Sequence, residues 1–156
     1  MAVFYSFHYE HDVNRVQLVE KMGAIEGQPI LNSQDWEQIR RGGNAAIEKW
    51  IDDQMKWKSA VIVLIGKETA SRPWVKYEIE KAWNIKKPLL GIYIHGLSSM
   101  GKVDSKGANP LASHGIQPFD PTQTDWLSGK IDSKATYNYL KDHLKMWATQ
   151  GKTRLW

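Results

Sequence analysis

The spacing of hydrophobic residues changes period along the chain, and that change separates strands from helices. Residues 1–7, MAVFYSF, form an apolar run that predicts a strand ending at polar His8-Tyr9-Glu10-His11. Asp12 is the expected cap of the next helix, in which Val13, Val16, Val19 and Met22 make a stripe that stops at Gly23. Residues 28–31 predict a weak second strand, and Asn32-Ser33-Gln34-Asp35-Trp36 a loop. Ala46, Ile47, Trp50, Ile51 and Met55 share one face of a helix over residues 43–57. Residues 59–66 contain VIVLI, an uninterrupted aliphatic run suited to a strand covered on both faces. Ser71-Arg72-Pro73 opens a helix that runs to about Lys86, with proline tolerated in the first turn. Pro88 precedes a strand over residues 89–94. Residues 95–129, rich in Gly, Ser, Asn, Asp and Pro, predict loops with at most a short strand over 116–119. A closing helix over residues 133–149 places Tyr137, Leu140, Leu144 and Trp147 on one side.

Strands alternating with helices imply right-handed crossovers and a parallel sheet with helices on both faces. The expected fold is α/β: a flavodoxin-like three-layer sandwich around a central parallel sheet of four to five strands, built as one domain over residues 1–156. Such sheets bind ligands beyond the carboxyl ends of their strands. Here those ends are Phe7-His8-Tyr9, the loop after Leu31, Gly66-Lys67 and His95-Gly96.

Composition narrows the chemistry. Cysteine is absent, which removes disulfides, thiolate zinc sites and a cysteine nucleophile. A net charge of +4 favours a phosphate-bearing ligand without marking a nucleic-acid binder. The first residues lack the pattern of a signal peptide, and no stretch reaches the length of a membrane span, so a cytoplasmic protein is expected. His8 and His11 flank a tight loop without a matching carboxylate cluster, so no metal site is expected. Asp12 and Arg15 read as helix cap and surface cation. Arg40 and Arg41, ahead of Gly42 and Gly43, read as a basic approach that could meet a pyrophosphate. Eight tryptophans exceed what a core of this size requires.

The helix after Pro73 carries the sharpest candidate. Val75, Ile79 and Ala82 form its core stripe, and Trp74 and Glu78, one turn apart, share the neighbouring stripe, neither solvated nor fully buried. A carboxylate beside an indole, facing the strand-end crevice, can stabilise a positively charged transition state. Surface pairing of Glu78 with Lys76 or Lys81 is the structural alternative.

The segment S-x-x-W-V-x-Y-E-I behind VIVLIG resembles the W-x-x-x-E helix of TIR domains. VFYSFHYEHDVNRV and Ser105-Lys106-Gly107-Ala108-Asn109-Pro110 resemble the TIR-like family that includes the signalling subunit of Thoeris antiphage systems. The resemblance covers residues 3–110. It implies an enzyme that breaks the bond between nicotinamide and ribose in NAD, taken as substrate with no further cofactor. It also implies a cyclic or modified ADP-ribose signal read by a separate effector protein. Glu78 would be catalytic, and Ser6, Phe7, His8, Trp36 and Trp74 would bind substrate. Control of such an activity calls for self-association, through residues 96–129 or the final helix and Trp156. A non-enzymatic TIR-like interaction module is the competing reading. A phosphoacceptor receiver is excluded, because neither the first strand nor VIVLIG ends in aspartate.

Overall fold

The structure, a computed structural model, describes residues 1–156. Four parallel strands, β1 (Ala2–Ser6), β2 (Glu26–Gly27), β3 (Ala60–Ile65) and β4 (Leu89–Tyr93), lie in the order β2-β1-β3-β4. Val3 to Ser6 pair in register with Ala60 to Val63, and Val61 to Ile65 with Leu89 to Tyr93. All of β3 and β4 is buried, as expected of apolar runs covered on both faces.

Helices cover both faces, giving the expected α/β sandwich. Val16 and Val19 of α1 (Tyr9–Lys21) and Leu140, Leu144 and Trp147 of α5 (Ser133–Trp147) pack on Val3, Tyr5, Ile62 and Ile92. Ile47, Ile51 and Met55 of α3 (Gly43–Met55) and Val75, Ile79 and Ala82 of α4 (Pro73–Asn84) pack on Phe4, Val61 and Val63. Alternation along β1 therefore sends Tyr5 to one layer and Phe4 to the other. Ser6 falls on the side of α4.

Three expectations are corrected. The second strand is Glu26–Gly27, not residues 28–31, because the Gln28 side chain takes over the pairing. Its Oε1 accepts from the Tyr5 N–H at 2.8 Å and its Nε2 donates to the Tyr5 carbonyl at 2.8 Å, as a strand neighbour would. Residues 33–36 are not loop but the start of α2 (Ser33–Arg41), whose Asn32 cap accepts from the Asp35 N–H at 2.8 Å. Over residues 116–119 the chain makes a single bridge, Phe119 to Ile92, within the expectation of at most a short strand.

The third correction concerns Asp12 and Arg15. The first helix begins at Tyr9, so Asp12 lies inside it and cannot cap it; both residues are buried. Arg15 donates to Leu97 O at 2.8 Å and Lys102 O at 3.0 Å, and its Nη1 stands 3.2 Å from both Asp12 Oδ1 and Asp104 Oδ2. It ties the loop after β4 to α1. Gly107 of that loop lies so close to the end of β3 that a Cβ there would sit 2.2 Å from the Gly66 carbonyl oxygen. The β3 end of the crevice is thus closed by the chain itself.

Arg15→Met should lower unfolding stability by about 3–5 kcal/mol, since it strands a buried carboxylate. Adding Asp12→Asn should return part of that loss, because the uncompensated charge goes with it. Urea denaturation of the two single variants and the double variant measures the coupling.

Candidate active site

With β3 covered, the open part of the crevice lies over β1 and β2. It is a cleft of about 270 Å³. One wall is aromatic. Phe7 and Tyr9 have ring centroids 6.1 Å apart, Tyr9 and Trp36 5.6 Å, and Trp36 and Trp50 6.5 Å. The Tyr9 hydroxyl donates to the Leu31 carbonyl and ties α1 to the segment after β2. Trp74, edge-on to Tyr77 at 5.5 Å, forms the facing wall.

Glu78 lines the same cleft and is only 7% exposed. It belongs to the buried stripe of α4 with Val75, Ile79 and Ala82, not to a half-solvated neighbouring stripe as expected. A position that the helical period reserves for an apolar side chain holds a carboxyl. The reason lies on β1: the Ser6 hydroxyl donates to Glu78 Oε1 at 2.6 Å, across 72 residues of sequence. Oε2 makes no hydrogen bond within the protein. Burial pushes the Glu78 carboxyl up to about 8, and the Ser6 hydrogen bond opposes part of that rise. The expected pairing partners are elsewhere, Lys81 near Asp52 at 3.7 Å and Lys76 exposed.

Of the six residues predicted for the site, Phe7, His8, Trp36, Trp74 and Glu78 line the cleft. Ser6 is fully buried behind them and touches the cleft through Glu78. Two of these six residues carry a buried polar atom with no partner, Trp36 Nε1 and His8 Nδ1. Buried polar atoms are nearly always satisfied, so unpaired ones beside a cleft fit hydrogen bonds to a ligand. Burial and the nearby Arg72 charge hold His8 below the ordinary histidine range.

Of three charged residues at the mouth, the sequence pointed to one. Arg40, read as able to meet a pyrophosphate, lines the cleft and Arg41 does not; Arg72 and Glu10 line it without any local sequence signal. Only their positions on three separate elements bring them together, so no local pattern could reveal it. A further cluster lies outside the cleft. His11 Nε2 and Asp104 Oδ2 are 2.7 Å apart, and Asp12 is close enough for the three to share a ligand position. The Arg15 guanidinium already stands between the two carboxylates.

A family model described as "Thoeris protein ThsB, TIR-like domain" matches residues 4–99. A Bacillus cereus (strain MSX-D12) protein named "Putative cyclic ADP-D-ribose synthase ThsB1" is 30% identical over 138 residues, covering 82% of this chain and 72% of that protein. The matched segment runs from β1 to just past β4 and so takes in Ser6, the aromatic walls and the Glu78 helix. By that match, carried on the same strands and turns that build the cleft, the chain belongs to the TIR-like domain family of the Thoeris protein ThsB.

Proposed function

We propose that the protein cleaves NAD between nicotinamide and ribose and releases a cyclic ADP-ribose isomer as a signal. The observation that carries this reading is Glu78, a buried carboxyl under aromatic walls with one oxygen held by Ser6 and the other unbonded. The name borne by the Bacillus cereus relative supports the same reaction class.

The bond that breaks joins the ribose carbon to a positively charged pyridinium nitrogen. Nicotinamide therefore leaves neutral and needs no proton from the protein. The positive charge passes to the ribose, and the requirement is a fixed negative group beside it. A carboxyl at about 8 is mostly protonated in the empty cleft at neutral pH. An entering pyridinium favours its ionised form, so the charge appears where the cation is. The reduced cofactor carries no such charge and would not ionise Glu78. Phe7, Trp36 and Trp74 supply flat apolar surfaces for the rings, and Trp36 Nε1 and His8 Nδ1 supply unpaired polar atoms. Capture of the ribose cation from within the substrate requires water to be kept out, which an aromatic cleft favours. Self-association belongs to this reading as its means of control; Trp57, Trp126 and Trp156 are exposed and available for it. The nucleotide product would reach a separate effector protein.

Glu78→Gln keeps the side-chain volume and removes the charge. It should cut nicotinamide release from NAD by a factor of about 10² or more, read by chromatography, with the circular dichroism spectrum unchanged. Equal release by variant and parent would refute the assignment.

The ionised carboxylate is the working form, so kcat/KM should rise with pH through a midpoint near 8. The Ser6 hydrogen bond favours ionisation; Ser6→Ala should move that midpoint to higher pH by about one unit. An unmoved or acid-shifted limb would contradict the role given to Ser6. The product is decided by mass spectrometry: a cyclic isomer is lighter than ADP-ribose by one water, and an active preparation yielding only the hydrated species would overturn the cyclisation step.

A further inference from the structure

The mouth of the cleft holds a second chemical device, centred on Glu10. Three groups from three elements surround its carboxylate: His8 Nε2 lies 3.3 Å from Oε2, Arg72 Nη2 3.9 Å from Oε2, and Arg40 Nη1 3.7 Å from Oε1. His8 comes from the turn after β1, Arg72 from the residue preceding α4, and Arg40 from the last turn of α2. Glu10, Arg40 and Arg72 all line the cleft.

None of these contacts reaches the 2.7–2.9 Å of a well-formed charge-assisted hydrogen bond. The carboxylate stands between two guanidiniums carried by separate elements and closes on neither, its oxygens lying 3.7 and 3.9 Å from them. Long, half-exposed ion pairs of this kind contribute little. Arg40 has one firmer bond, donating to Glu37 Oε1 at 3.0 Å, whereas Glu10 is the ion-pair partner of Arg72. Two guanidiniums thus converge on a loosely held anion at the rim of a cleft whose depth is aromatic.

A diphosphate fits this arrangement better than Glu10 does. Its oxygens lie on two linked tetrahedra, long enough for one phosphate to meet each arginine, and guanidinium forks match phosphate oxygens two at a time. We infer that Arg40 and Arg72 form a diphosphate subsite at the mouth of the cleft and that Glu10 is an internal anion which fills it until a diphosphate displaces it. Glu10 then sets a threshold: it competes with every anion for the same two charges and leaves the aromatic depth of the cleft untouched. This inference rests on the NAD-cleaving reading for its biological ligand, since a dinucleotide carries its diphosphate between the two halves that the cleft must hold.

Calorimetric titration with inorganic pyrophosphate, at low ionic strength and one fixed pH, tests the subsite without any turnover. Glu10→Gln should tighten pyrophosphate binding by about fivefold or more. Arg40→Gln and Arg72→Gln should each weaken it by about tenfold, effects of the size expected for a close charge partner. The gain from Glu10→Gln should vanish in a protein that also carries Arg72→Gln. Circular dichroism checks that each variant is folded. Binding that ignores the arginine substitutions, or that is unchanged or weaker in Glu10→Gln, overturns the inference. The predicted pattern in a protein that never releases nicotinamide would defeat the proposed activity and leave the subsite standing. Release of nicotinamide without that pattern would do the reverse.

Discussion

The hydrogen bond from Ser6 to Glu78 joins the end of β1 to the middle of α4, and the site is organised around it. A carboxyl in the buried stripe of a helix is unfavourable by several kcal/mol when charged, because the protein interior solvates ions poorly. Here one hydroxyl and the edge of a cleft are all that replace water. The consequence appears as a proton affinity raised to about 8. Linkage gives the sign. The folded chain holds this proton more tightly than the unfolded chain, so the stability it contributes at low pH is lost as pH climbs from the ordinary glutamate range toward 8. The rest of the fold must be stable enough to carry that burden, and the continuous cores on both faces of the sheet are what it rests on.

A second constraint decides where the cleft can be. A doubly wound sheet offers ligand space along the carboxyl ends of all its strands. In this chain the buried Arg15 gathers Asp12, Asp104 and two loop carbonyls, and draws the segment after β4 across the end of β3. Gly107 is needed where that segment passes the Gly66 carbonyl. What remains open is bounded by the first turn of α1, the chain after β2, α2 and the start of α4. The loosely held charges around Glu10 lie at that opening, and the tightly held cluster around Arg15 closes the other end.

How much of this could be read beforehand depended on range. VIVLI, LLGIYI and the stripes of α1, α3, α4 and α5 are local patterns dictated by burial, and they located the sheet and both helical layers. Glu78 stood out because a W-x-x-x-E helix follows a buried strand, although a helical wheel placed it on the wrong stripe; only its partner on β1 makes that burial tenable. The α2 helix was hidden because SQDWEQIRR contains no residue that becomes fully buried, leaving the Asn32 cap as its one signal. Gln28 pairs with β1 through its side chain, which no strand pattern encodes. Arg15 looked like a surface cation because its four partners lie near or beyond the end of β4 or sit inside its own helix. The convergence of Glu10, Arg40 and Arg72 is tertiary in the same way.

The central claim is that Glu78 is a proton-holding carboxyl in the resting cleft, ready to ionise beside a cation. Carbon NMR of protein labelled at the glutamate carboxyls, with the Glu78→Gln variant identifying the resonance, reads that proton directly. The account predicts a titration midpoint near 8 in the ligand-free protein. A midpoint near the ordinary 4.5 would show a solvated carboxylate instead, and would contradict the burial, the role of Ser6 and the charge-on-entry mechanism together.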